Sequence, residues 1–79
     1  MTTQEITPRV QKVFARVFGA RVPFTAELSR ANEARWTSLK HVEFIIGLEA
    51  EFGVRFDGAD ATDMITIPVV VERVQSRLT

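Results

Sequence analysis

Apolar residues recur at helical spacing over most of the chain. In the first segment they stand at positions i, i+4, i+7, i+8 and i+11 from Ile6 to Val17, which puts them on one stripe of a helix. Thr3 is a suitable N-cap, Pro8 is tolerated in the first turn, and Gly19 is a natural stop. The pattern therefore predicts a first helix that ends before Gly19.

Residues 19–37 show no sustained period. The residue before Pro23 avoids helical backbone, so this part is predicted to be extended. In so small a domain, a connection this long either counts against the assignment of residues 19–37 as a loop or indicates a functional loop. We expect three apolar residues to hold the loop against the core: Phe24, Leu28 and Trp36.

The second helix is the clearest predicted element. Thr37 is a good N-cap, which places Ser38 at the first helical position and Leu39 at the second. Apolar residues continue at helical spacing as far as Phe52, and Gly53 is expected to end the helix.

The remaining chain favours two further helices. Residues 59–64 are predicted to form a short helix capped by Asp57 or Gly58. Thr66 is the expected cap of the last helix, with Pro68 in its first turn, where the missing N–H costs nothing. The predicted fold is therefore all-α, a small up-down bundle of three main helices plus one short helix, with a long first loop.

Composition limits the possible functions. The chain has 79 residues, enough for a single domain spanning 1–79 but too few for a doubly wound nucleotide-binding domain or a barrel enzyme. Its hydrophobic share of 46% is ordinary for a globular protein. With no cysteine and one histidine, disulfides, thiolate sites and multi-histidine metal sites are excluded.

Ten basic and ten acidic residues cancel, which argues against a nucleic-acid binder because such a protein needs a basic surface. Residues 1–37 carry six bases and three acids, whereas residues 38–79 carry four bases and seven acids. The simplest interpretation is that the halves attract each other weakly or are solvated. The basic first half keeps a small nucleic-acid binder as a disfavoured hypothesis.

No segment predicts export or membrane insertion. The first five residues lack the basic and apolar regions of a signal peptide, and the longest apolar run, from Ile67 to Val71, is far too short to span a bilayer. Together with the missing cysteines, this favours a cytoplasmic protein.

The most specific feature is the stretch from Trp36 to Phe56, which reads WTSLKHVEFIIGLEAEFGVRF. It resembles the acyl carrier protein family around its modified serine, where an Asp-Ser-Leu triplet precedes an apolar helix that ends in acids and Phe. The tryptophan before the triplet and the histidine three residues after the serine are similar to stand-alone carriers of specialised pathways. Residues 63–67 resemble the family's passage from third to fourth helix.

The resemblance implies that Ser38 carries 4′-phosphopantetheine as a phosphodiester, and that acyl groups ride on this arm as thioesters. A serine at a helix N-terminus suits an anion, since free N–H groups and the helix dipole favour negative charge. The protein is then not an enzyme, because the chemistry belongs to the cofactor and to partner enzymes. The implied partners are a phosphopantetheinyl transferase and acyl-transfer or condensing enzymes. We expect a monomer that binds neither nucleic acid nor membrane.

The resemblance also implies a partner-binding strip along the second helix, where apolar and acidic side chains meet the partner. Val42 and Ile46 stand one turn apart and are either small apolar knobs or part of the core. The implied partner-binding residues are Thr37, Leu39, Lys40, His41, Val42, Glu43, Ile46 and Glu49.

Two residues depart from the family pattern, which usually has an Asp at the position of Thr37 and an acid at that of Lys40. The lost negative charge predicts slower modification by the transferase of primary fatty-acid synthesis. With the neutral net charge, it favours dedicated partners in a specialised lipid or secondary-metabolite pathway. The same departures support an alternative, an unmodified carrier-like module that only binds partner proteins.

Ser38 and His41 stand three residues apart on a helix and could form the nucleophile and base of a hydrolase. The sequence indicates neither a third orienting group nor an oxyanion site. We therefore expect His41 to be a surface histidine beside the attachment point.

Overall fold

Four helices account for most of the computed structural model, which describes residues 1–78. The predicted all-α bundle of three main helices plus one short helix, with a long first loop, is confirmed. No helix within this described range is long and apolar enough to cross a membrane. In chain order the helices are α1 (Thr3–Phe18), α2 (Ser38–Phe52), α3 (Gly58–Asp63) and α4 (Ile67–Leu78).

The start of α1 differs from the prediction by one residue. Thr2, not Thr3, is the N-cap, because its side chain accepts a hydrogen bond from the Glu5 backbone N–H while the Glu5 side chain accepts one from the Thr2 backbone N–H. This reciprocal capping box requires a Glu or Gln three residues after the cap, which Thr2 has and Thr3 lacks. Pro8 is the sixth residue of α1 and lies in the second turn, not in the first as predicted.

The other helix ends follow the predicted caps closely. Gly53 ends α2 in the left-handed conformation, with φ 65°. Asp57 is the cap of α3, so that helix runs one residue ahead of the predicted 59–64. Thr66 caps α4, accepting a hydrogen bond from the Val69 backbone N–H at 3.3 Å.

An aromatic cluster joins α1, the first loop and α2. The rings of Phe14 and Phe18 stack with centroids 4.3 Å apart, and Trp36 meets Phe44 edge-on at 5.7 Å. The loop is thus held by its own side chains, Leu28 and Trp36 as predicted and Val22 in addition, while Phe24 is partly buried. The buried core consists of Ile6, Val10, Val13, Phe14, Val22, Leu28, Trp36, Phe44, Ile45, Leu48, Phe52, Met64, Ile67, Val70, Val71 and Val74.

Gly47 lies at a close contact between α1 and α2. A Cβ at this position would stand 2.8 Å from the Cγ1 of Val13, a buried β-branched side chain with little rotamer freedom in a helix. The glycine therefore serves close helix packing.

Opposite charges of the two halves of the chain meet at Glu51. Its carboxylate lies 2.9 Å from Arg9 Nε, 3.6 Å from Lys12 Nζ and 3.4 Å from an Arg16 nitrogen. The hydrogen bond from Arg9 lowers the pKa of the Glu51 carboxyl. The three cations of α1 thus neutralise an acid of α2.

Asp60 fastens the short helix α3 to α4. Asp60 is only 4% exposed, and its side chain accepts hydrogen bonds from the guanidinium groups of Arg73 (2.8 Å) and Arg77 and from the Asp57 backbone N–H (3.1 Å). Burial raises the pKa of the Asp60 carboxyl, but these hydrogen bonds outweigh burial and lower it to about 2. Ionised Asp60 therefore stabilises the position of α3.

We expect Asp60→Asn to reduce the acid sensitivity of folding. Because the pKa of Asp60 is about 2 when folded and roughly 3.9 when unfolded, its ionised form stabilises the fold above pH ~4, and this contribution is lost as the pH falls toward the folded value. The variant should be less stable than wild type at pH 7, and the two should converge between pH ~4 and ~2. Urea denaturation across this range measures the difference.

The matched control is Asp63→Asn. Asp63 also contacts Arg73, at 3.3 Å, but its side chain is largely exposed, so this variant should keep the wild-type pH profile. Parallel profiles for wild type and Asp60→Asn would contradict the assignment.

Candidate functional site

The hydroxyl of Ser38 is accessible at the start of α2. Ser38 is exposed and is the first helical residue, directly after the cap Thr37, whose side chain accepts a hydrogen bond from the Lys40 backbone N–H at 3.3 Å. Trp36, two residues before Ser38, is buried in the aromatic cluster. The start of α2 is therefore anchored to the core by Trp36, while Ser38 is exposed to solvent.

A cation from the first loop reaches this serine. Nη2 of Arg30 donates a hydrogen bond of 2.7 Å to Ser38 Oγ. No spacing rule predicts this contact, because Arg30 lies in the aperiodic segment; the only signal in the sequence was the surplus of basic residues in and beside that loop. An exposed hydroxyl next to a guanidinium group fits a phosphate ester, since arginine pairs with phosphate oxygens through directed N–H groups.

Three large apolar side chains of α2 are exposed. Leu39 is 68% exposed, Val42 55% and Ile46 59%. Their spacing, i, i+3 and i+7, puts them on one face of the helix that begins beside Ser38. The alternative that Val42 and Ile46 belong to the core is therefore excluded, and we call Leu39, Val42 and Ile46 the apolar face of α2.

The acids of α2 differ in their surroundings. Glu43 is exposed and pairs with Lys40 at 3.7 Å, which leaves this part of the helix close to neutral. Glu49 is half-buried, and its carboxylate accepts a hydrogen bond of 2.9 Å from the Phe56 backbone N–H. Glu49 therefore also supports the segment that follows α2, a role that the sequence did not suggest.

The expectation that His41 is a surface residue is wrong. His41 is only 8% exposed, because its ring packs beside Trp36 at 6.0 Å between centroids. Its Nδ1 accepts a hydrogen bond of 3.0 Å from Trp36 Nε1, and its Nε2 lies 2.7 Å from the Ala61 carbonyl oxygen. Both ring nitrogens are thus occupied, and neither is left to bind a partner or to serve Ser38 as a base.

The contacts of His41 select one tautomer. An indole N–H can only donate, so Nδ1 must be the acceptor, and Nε2 then carries the proton and donates it to the carbonyl of Ala61. The ring consequently joins the residue before the α2 cap to the short helix α3. The disfavoured hydrolase pair of Ser38 and His41 is therefore not formed, and His41 presents no free ring nitrogen at the surface.

An open groove of about 690 Å³ lies between α1, the first loop and α4. Phe24, Ile67 and Val71 supply its apolar wall, with Thr7 and Gln11 on the polar side. No residue of α2 lines it, so this groove is separate from the serine and from the apolar face of α2.

Comparison with protein families gives no matching family model for this chain. Within residues 1–78 no group of three or more His, Asp or Glu side chains is placed to hold a metal ion.

We expect the substitution His41→Phe, which nearly conserves the side-chain volume, to destabilise the fold. The change leaves the buried indole N–H of Trp36 without a partner, which costs about 1–3 kcal/mol, and it also removes the hydrogen bond to the part-buried carbonyl of Ala61. Urea denaturation followed by circular dichroism measures the loss. Lys40→Gln, one residue away and only partly buried, should leave the midpoint unchanged. Wild-type stability of His41→Phe would contradict the bridging role.

Proposed function

We propose that the protein is an acyl carrier that holds acyl intermediates as thioesters on a 4′-phosphopantetheine arm attached to Ser38. The observation that carries the proposal is the exposed Ser38 hydroxyl at the start of α2, next to the Arg30 guanidinium and to the apolar face of the helix. The protein itself catalyses no reaction in this proposal. The arm supplies a thiol on which partner enzymes load and process the acyl group.

Attachment of the arm requires the Ser38 hydroxyl as nucleophile and coenzyme A as donor. Ser38 Oγ forms a bond to the phosphorus next to pantetheine, and the bond from that phosphorus to the bridging oxygen of the diphosphate breaks. The hydroxyl proton passes to a base of the phosphopantetheinyl transferase, and adenosine 3′,5′-bisphosphate leaves with the bridging oxygen. Within this chain, the helix N-terminus and Arg30 favour the resulting anion.

The apolar face of α2 is the proposed docking surface for the enzymes that act on the arm. Leu39, Val42 and Ile46 are exposed and continuous with Ser38, so an enzyme seated on them has the root of the arm beside its contact surface. The Lys40–Glu43 pair at 3.7 Å lies among them. A partner matched to this surface is largely apolar at its centre and does not need the strongly basic patch that suits an acidic carrier.

The alternative function is an unmodified interaction module that binds partner proteins through the same apolar face. Thr37 favours it, because a threonine replaces the acid that the resemblance leads one to expect before the modified serine. The two functions differ in one covalent bond, at Ser38.

Intact mass after incubation with coenzyme A and a transferase of broad specificity separates the two functions. We expect wild type to gain the mass of one phosphopantetheine group and Ser38→Ala to gain none. Ser76→Ala, a serine substitution in α4, is the matched control and should load like wild type. Failure of wild type to load with such transferases would overturn the carrier proposal and favour the module.

We also expect Thr37→Asp to raise the loading rate by a transferase of primary fatty-acid synthesis. Aspartate preserves the N-cap and adds a negative charge beside Ser38, and a charge at the rim of an interface acts mainly on the association rate. Thr37→Asn is the matched control, because it keeps a capping side chain without the charge. Equal initial rates for wild type and Thr37→Asp would show that the residue does not determine recognition.

A further inference from the structure

Arg30 and Ser38 belong to different elements and meet through the side chain of the arginine. The distance from Arg30 Nη2 to Ser38 Oγ is 2.7 Å. A serine hydroxyl engages only one of the guanidinium N–H groups and carries no charge to neutralise the cation. Among residues 1–78, no carboxylate lies within ion-pair distance of Arg30. The guanidinium therefore retains both charge and donors.

Hydrogen bonds hold the backbone of Arg30 in place. Its N–H donates to the Ile65 carbonyl at 2.8 Å, and the adjacent Ser29 forms an antiparallel bridge with Thr66. The Asn32 side chain accepts a hydrogen bond of 3.0 Å from the Ser29 backbone N–H. The loop is thus tied to the start of α4, and the arginine extends from a fixed base.

The other cations near Ser38 have partners. Arg35 pairs with Glu33 at 2.8 Å, and Lys40 pairs with Glu43 at 3.7 Å. Thr37, the residue before the serine, is uncharged. Arg30 is therefore the cation beside Ser38 that has no acidic partner among the described residues.

We propose that Arg30 is the counter-ion of the phosphodiester on Ser38 and holds the first bonds of the arm against the first loop. This inference rests on the proposed function, since it requires Ser38 to be modified. The phosphodiester replaces a neutral acceptor by an anionic one, which strengthens the hydrogen bond from Arg30 and offers a second oxygen for a bidentate pair. Arg30 is a positioning residue, and the arm of this carrier leaves the protein at a charge-paired site.

The ³¹P resonance of the loaded protein tests the inference without any acyl-transfer assay. Wild type, Arg30→Gln, Arg30→Lys and Arg21→Gln are each loaded with coenzyme A and a transferase of broad specificity, and loading is verified by intact mass. The ³¹P chemical shift and line width are then recorded from roughly 0.01 M to 1 M salt, over which the Debye length falls from about 30 Å to about 3 Å. Arg21 is an exposed arginine of the same loop and serves as the matched control.

We expect the wild-type resonance to move with salt toward the position of Arg30→Gln, and the Arg30→Gln resonance to lose this salt dependence and to be narrower. Arg21→Gln should behave like wild type. Arg30→Lys should keep part of the salt dependence, because lysine retains the charge but not the planar fork of donors.

The outcomes separate the two proposals. If all proteins load but wild type and Arg30→Gln share the same shift and salt dependence, the role of Arg30 is overturned and the carrier function stands. If wild type does not load, both proposals fall. If Arg30→Gln does not fold, as judged by circular dichroism, wild type and Arg30→Lys decide, and a wild-type resonance that does not move with salt overturns the inference.

Discussion

The hydrogen bond from the Trp36 indole to His41 is the interaction on which the site depends. Trp36 belongs to the aromatic cluster that joins α1 and α2, and it lies directly before the cap of α2. Through the other nitrogen of its ring, His41 reaches the carbonyl of Ala61 in α3. These side-chain contacts connect the core, the start of α2 and the short helix α3. Ser38 is therefore exposed at a fixed position.

The electrostatic arrangement follows from how acids and bases are paired. Glu51 pairs with the cations of α1, and Asp60 pairs with those of α4, so these two clusters join helices. Arg30 is different because its partner is a neutral hydroxyl. The net charge of the chain is zero, but the positive charge of Arg30 has no acidic partner among the described residues. Because Arg30 lies beside Ser38, this charge can pair with the proposed phosphodiester.

Local chemistry made much of the fold predictable. Thr37 and Gly53 mark the ends of α2 because capping depends on residues adjacent in sequence. The burial of His41 was not predictable, since one of its two hydrogen-bond partners is Ala61, twenty residues away. Arg30 meets Ser38 only because the loop is tied to Ile65 and Thr66. The exposure of Ile46 was equally undetermined, because apolar residues stand on more than one side of α2 and periodicity does not say which side is covered.

The close approach at Gly47 limits which residues the contact between α1 and α2 can accept. A methyl group there would already stand 2.8 Å from Val13, so the seam between α1 and α2 has no slack. Any side chain at position 47 therefore requires Val13 or one of the two helices to shift.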